Sequence, residues 1–233
     1  MKPIQSSSIP QAVVHHIIQL ISEGTWEPGD RLPAQRQLAR ELNVGMSSLR
    51  EGLQTLQGMG VLCLYHGQGT FVCQNPGQII ERYLNLALAL NGDSVEDFLD
   101  ARRAIEGGLA YLAAKRATEA QIARLLDLAE GMMAAVDTGD EARFDELDLA
   151  YHRLIAEMSN SNLLQYLGDT LFETLEEFIR VVPHTPHGCQ RHAEVAAAIE
   201  ARDPDRSEKA MHDLVDVTAA YVQLSKNRPP RAE

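Results

Sequence analysis

Cysteine is scarce in this chain, long apolar runs are missing, and positive charge is outweighed. The 233 residues hold three cysteines, Cys63, Cys73 and Cys189. An odd number at wide spacing argues against a disulfide framework and fits a reducing compartment, and no zinc-knuckle spacing occurs among them. No stretch approaches the ~18 apolar residues of a membrane-spanning helix. The leader MKPIQSSSIP lacks the apolar centre of a signal peptide, so the expectation is a cytoplasmic protein without a membrane partner. Internal repeats and low-complexity tracts are absent, and no strand signal occurs beyond residue 78. The formal net charge of -12 argues against a polyanionic partner until its distribution is considered. Residues 1–76 carry five basic and five acidic residues, so the whole acidic excess lies beyond them. An acidic second part repels a polyanion at long range and leaves contact to the neutral first part.

A hydrophobic content of 45% and this length suit a globular chain of two modest domains. The spacing predicts a mainly α protein: an N-terminal winged helix-turn-helix with a small β-wing over residues 1–76, then a C-terminal all-α helical bundle over 77–233. Ala12, Val13, Ile17, Leu20 and Ile21 form the stripe of a first helix that begins near Pro10 and ends at Gly24. Leu38, Ala39 and Leu42 mark one face of the next, and Asn43-Val44-Gly45 supplies a turn in which Gly45 is free to take unusual backbone angles. In the helix that follows, Leu49, Leu53 and Leu56 recur at helical spacing, with Ser47, Arg50, Glu51 and Gln54 opposite. Val61 to Tyr65 and Thr70 to Cys73 read as strands around the turn His66-Gly67-Gln68-Gly69, and Arg31-Leu32 is placed to add a short strand.

A polar helix face of this kind fits the major groove of DNA. Arg50 can donate two hydrogen bonds to guanine and Gln54 can pair with adenine. Arg36 is placed to hold a phosphate, and His66 could donate to the sugar-phosphate edge. At LPAQRQLARELNV, SSLREGLQTL and HGQGTFV the sequence resembles the GntR family of bacterial transcription regulators. That resemblance implies operator recognition by Arg36, Ser47, Ser48, Arg50, His66 and Gly67, the wing tip reaching toward the minor groove. Two positions depart from the family pattern: Gln35 stands where Glu is most frequent, and Met46 where a DNA-contacting Arg is common. Met46 cannot pair with guanine, so a different base sequence is expected to be read.

From Gln78 to about Lys226 helical periodicity runs through six or seven segments. Ser94 with Asp97 and Thr118 with Gln121 resemble capping boxes, Asp140 follows Gly139, and Asp203 precedes Pro204. Ile122, Leu125, Leu126, Ala129, Met132, Met133 and Val136 form a core stripe, and Asn227 to Glu233 are expected to fray. On Phe144 to Met158 the stripe Phe144, Leu147, Tyr151, Leu154, Ile155 and Met158 has Asp148 and His152 within its angular range, four residues apart and so on one face. His192 has a similar place beside Val195, Ala196 and Ile199. A carboxylate and two imidazoles are ligand types for Zn, Ni or Mn, though spacing alone does not bring them together.

DARRAIEGGLAYLAAKRAT, DLAYHRLIAEMSNSNLL and HAEVAAAIEARDPDRSEKAM resemble the ligand-binding FCD domain of the FadR-type branch of the same family. The resemblance implies metal ligands at Asp148, His152 and His192, and a further His where this chain has Leu214. His212 points about 200° away from Leu214 on an ideal helix. Two arrangements stay open: a three-ligand metal site completed by water or effector, and a metal-free pocket in which Asp148 and His152 form a buried pair. His184 and His187 are further ligand candidates, expected to face solvent instead. Because FCD domains often respond to small organic acids, the resemblance makes Arg102 the candidate for an effector carboxylate. Its alternative is a salt bridge to Asp100, Glu106 or another helix, and Arg103 is a second candidate.

These readings lead to a homodimeric transcription regulator, a repressor by default, that binds an imperfect palindrome of operator DNA under control of a small carboxylate effector. A metal-dependent helical enzyme with a vestigial DNA module is the alternative from another class, weakened because no nucleophile or oxyanion motif accompanies Asp148 and His152.

Overall fold

The computed structural model describes residues 8–75, 77–91, 95–179 and 183–226. The chain divides into two compact units, Met1–Arg82 and Tyr83–Glu233.

The first unit contains α1 (Ile9–Ser22), α2 (Gln35–Glu41), α3 (Met46–Met59), β1 (Leu62–Tyr65) and β2 (Gly69–Val72). Ser8 caps α1 with Gln11 in a capping box, and the proline at its start suits the first turn. Val13, Val14 and Ile17 face inward with Leu38, Leu49, Leu53, Leu56, Leu62 and Val72. Val14 replaces the expected Ala12, which is exposed. The turn between α2 and α3 differs from the sequence expectation. Gly45 has an ordinary extended φ of -66° as the N-cap of α3, whereas Asn43 takes the left-handed conformation at φ 51°, which Asn tolerates better than most side chains. Gly60 ends α3 at φ 82°, a backbone conformation that glycine adopts without cost.

β1 and β2 form an antiparallel ladder in which Leu62 faces Val72 and Tyr65 faces Gly69. Arg31 adds a bridge to Phe71, so the expected third piece of the wing is present. The cysteines depart from expectation: Cys63 and Cys73 are joined by a disulfide, with Cα atoms 5.3 Å apart, and Cys189 alone is free. The ladder accounts for this. It brings residues ten apart in sequence side by side on one face of the hairpin, a proximity that linear spacing does not display.

Among the described residues seven helices follow: α4 (Gly77–Asn91), α5 (Val95–Arg116), α6 (Glu119–Thr138), α7 (Glu141–Met158), α8 (Asn162–Ile179), α9 (Pro186–Glu200) and α10 (Pro204–Lys226). The unit boundary falls inside α4. Thr118 and Gln121 form the expected capping box, Asp140 accepts from the Arg143 N–H, and Asp203 accepts from the Arg206 N–H. The Ser94 capping position, the end from Asn227 that was expected to fray and the leader through Ser7 lie outside the described residues. α5, α6, α7, α9 and α10 enclose one core around Leu109, Leu125, Met132, Tyr151, Ile155 and Ile199, all 1% exposed or less. Among the described residues no helix is long and apolar enough to cross a membrane.

Candidate functional site

The first unit keeps its candidate residues at the surface. Arg36, Ser47, Arg50, Gln54, His66 and Gly67 are exposed and Ser48 is half-buried. Ser47, Arg50 and Gln54 share the outer face of α3, because Leu49, Leu53 and Leu56 turn the opposite face into the core. Arg50 Nε donates to Gln35 Oε1 at 3.4 Å, a long contact. A neutral Gln there leaves the guanidinium charge uncompensated. Arg36 and Arg40 flank an open hollow at the N-terminal end of α3 that also includes Asn43, Gly45 and Met46. Backbone N–H groups at that end and two guanidinium groups suit a phosphate. Arg40 shares a face of α2 with Arg36 by its spacing of four, but that this face adjoins the N-terminal end of α3 is set by the packing of the two helices. Met46 is half-buried against the core, as its apolar side chain requires.

The second unit keeps its candidates inside. α7 contributes Asp148 and His152 one turn apart, and α9 contributes His192. One ligand-type atom from each lies within 4.8 Å of the others, so the three residues do come together. His192 Nδ1 is 2.9 Å from the Gly188 carbonyl. A donated N–H there leaves Nε2 as the coordinating nitrogen. That Nε2 is 2.8 Å from Asp148 Oδ1 yet off the line needed for a hydrogen bond, and it is buried. His152 Nε2 is 3.7 Å from the same oxygen. Two imidazole nitrogens aimed past good hydrogen-bond geometry at one carboxylate form a donor set that fits a divalent cation. The Tyr151 hydroxyl, fully buried, donates to the His192 carbonyl at 2.7 Å and fixes α9 against α7.

Behind His152 stands Glu106, 1% exposed, which sequence reasoning named only as a salt-bridge partner of Arg102. It is that and more. Arg102 Nε donates to Glu106 Oε1 at 2.5 Å, and Glu106 Oε2 lies 3.0 Å from His152 Nδ1. One carboxylate therefore contacts both the effector candidate and a metal-ligand candidate. The i,i+4 spacing from Arg102 was visible; the approach of His152 from another helix was not. Arg103 instead pairs with Asp100 at 3.0 Å and with Asp216, on the surface.

Burial opposes the charge of Glu106, but Arg102 and then His152 outweigh it and hold its carboxyl at about 2. Burial likewise opposes the charge of Asp148, and His192, His152 and Arg102 carry it well below the usual carboxylate range. His152 is raised despite its burial, because Glu106 and Asp148 favour its charged form.

Arg102, Asp148, His152 and His192 line a partly open cavity of about 50 Å³ with Phe144, Leu214 and Tyr221. Arg102 lines it, and its Nη1 is a buried donor without a hydrogen-bond partner among the described residues. His184, expected to face solvent, is half-buried at the cavity, stacked on Phe144 at 4.0 Å and 3.1 Å from Asp145. The flat face of Phe144 holds it there. His187 is exposed. Leu214 lines the cavity where a further imidazole was the family expectation, while the His212 ring lies against Gly107 of α5.

Comparison with known proteins places both units. The profile described as bacterial regulatory proteins, gntR family, matches residues 10–72, and the FCD domain profile matches residues 97–217. The chain is 28% identical to the HTH-type transcriptional regulator LutR of Bacillus subtilis over 217 residues, covering 88% of this chain and 98% of LutR. It is 27% identical to the HTH-type transcriptional repressor NanR of Cronobacter sakazakii over 243 residues, 99% of this chain and 92% of NanR. The structure of Streptococcus agalactiae GntR superposes with a TM-score of 0.67 at 22% identity, covering 91% of this chain and 99% of that one, which shows a shared fold.

Proposed function

The chain belongs to the GntR family of bacterial transcription regulators, in the branch that carries an FCD domain, and from this we propose that it is a cytoplasmic, homodimeric repressor whose operator affinity is set by a small carboxylate bound in the cavity of the second unit. This family and its named relatives are regulators and not enzymes. The observation that carries the effector reading is the buried Nη1 of Arg102, unpartnered among the described residues, on a side chain that lines the same cavity as Asp148, His152 and His192. A buried donor without a partner costs about 1–3 kcal/mol, and an acid entering the cavity removes that cost.

Asp148, His152 and His192 would hold a divalent metal. A bound cation there supplies positive charge beside Arg102 and positions open to an effector oxygen, since Leu214 offers no ligand. Arg36, Ser47, Ser48, Arg50, Gln54, His66 and Gly67 would read DNA, with Arg40 added at the phosphate hollow. Residues 1–76 form the reading domain and 77–233 the effector and dimer domain in this reading. The repressor direction follows the name of NanR. The effector must prefer one placement of the two reading domains in the dimer, because equal affinity for both shifts nothing. An imperfect palindrome follows from two-fold symmetry.

The test is metal content and thermal stability together. Purified protein is expected to retain about one equivalent of Zn, Ni or Mn per chain, a His152→Ala variant far less, and short carboxylates to raise the melting temperature of the wild type alone. Equal, negligible metal in both proteins removes the metal. A screen of short acids with no shift removes the carboxylate.

A further inference from the structure

We propose that Cys63 and Cys73 form a thiol–disulfide exchange site whose oxidation state sets how firmly the wing turn is held for DNA. It goes beyond the regulator reading and rests on it only for the DNA assay. The two residues lie diagonally on one face of the hairpin. Cys63 sits opposite Phe71 in the ladder, and Cys73 donates its backbone N–H to the Val61 carbonyl two residues earlier in the facing chain. The bridge between them closes the segment 64–72, which contains the turn with the DNA-reading candidates His66 and Gly67.

The two strands are held unequally. β2 is supported from both sides: by β1, and by the segment 29–32, where Leu32 N–H donates to the Thr70 carbonyl, Val72 N–H to the Asp30 carbonyl and Gly29 N–H to the Val72 carbonyl. Among the described residues β1 pairs with β2 alone, and its outer half exposes Leu64 and Tyr65. A ladder of two four-residue strands is marginal by itself. The sulfur bridge ties the weaker strand and the turn to the stronger strand. Without it, order in the turn must be established at the moment of DNA binding, which lowers affinity.

The site would take a dithiol, protein-borne or small. Cys63 is half-exposed and Cys73 nearly buried, so attack falls on the Cys63 sulfur. The incoming thiolate bonds to Cys63 Sγ, the bridge breaks, and Cys73 leaves as a thiolate that takes up a proton. The second thiol of the reductant then closes on its own mixed-disulfide sulfur and releases Cys63 as a thiol. Two electrons pass to the protein and the dithiol becomes a disulfide. Disulfides in compartments that keep thiols reduced are mostly transient or redox-sensing, which suits a half-exposed bridge at a working surface.

The experiment uses the full chain and a duplex selected from a random pool with both redox forms. Thiol alkylation and mass measurement establish each state. The oxidised protein is expected to bind on the order of three- to tenfold more tightly than the reduced one. Cys63→Ser and Cys73→Ser should bind like reduced protein and ignore reductant, with unchanged circular dichroism, while Cys189→Ser keeps the full response because Cys189 lies buried in the other unit. Equal affinities in verified oxidised and reduced states overturn the proposal, as does a pair that remains alkylatable after equilibration with oxidised glutathione. Failure of both forms to bind any duplex overturns it together with the regulator reading.

Discussion

The two units solve opposite problems with the same ingredients. In the first, arginines point outward and are set by a small apolar core, so recognition and folding are separable. In the second, Arg102, Glu106, His152 and His192 are all buried, at 6% exposure or less. Charge there is part of the packing. A binding group on a surface can be removed without harm to the fold, whereas one that is enclosed leaves its partners uncompensated.

The sharpest way to break this contrast is Arg102→Ala. Removing one member of the buried Arg102–Glu106 pair should cost about 3–5 kcal/mol of stability, read as a lower urea midpoint for the second unit. A change under about 1 kcal/mol would show that the network is not structural. Arg50→Ala is the mirror experiment. It should weaken duplex DNA binding on the order of tenfold or more while thermal stability stays within error. Unchanged DNA affinity would count against α3 as the reading helix.

Two glycines refine the comparison at smaller effect. A methyl at Gly52 would meet Val13 Cγ1 at 2.8 Å and the Pro10 carbonyl oxygen at 3.1 Å, so Gly52→Ala should destabilise the first unit by about 1–3 kcal/mol. A methyl at Gly107 would meet the tip of the His212 ring, which can swing aside. Gly107→Ala should therefore cost less than about 1 kcal/mol, helped by the better helix propensity of Ala. Equal losses in the two unfolding transitions would mean that His212 is fixed.

The last expectation concerns pH. Glu106 has a folded value of about 2 against an ordinary 4.5. Its stabilising contribution is complete above 4.5 and is lost as pH falls toward 2. His152 is raised above its ordinary 6.5, so its contribution is complete below 6.5 and is lost as pH rises through the folded value. The stability gap between wild type and Glu106→Gln should narrow in acid, and that between wild type and His152→Ala should narrow in alkali. Urea midpoints across pH check both, and a flat gap for either variant would contradict the assigned partners.

Most of the fold was legible in local patterns. The leucines of α3, the Thr118–Gln121 capping box, Asp140 and the Gly-rich wing turn act within a few residues of themselves, and the structure uses them as their spacing implies. So were the outward arginines, because the apolar face of a helix dictates where its polar face points. The interior of the second unit was only half legible. Asp148 and His152 share a face by helical spacing, but whether His192 meets them depends on how α9 packs on its neighbours, and Glu106 reaches His152 only because α5 lies against α7. The Cys63–Cys73 bridge belongs to the same class. Period and capping are properties of a single segment, so composition and order are sufficient to read them. A convergence of side chains from separate segments is set by packing angles and register between elements, where a small rotation replaces one residue by another.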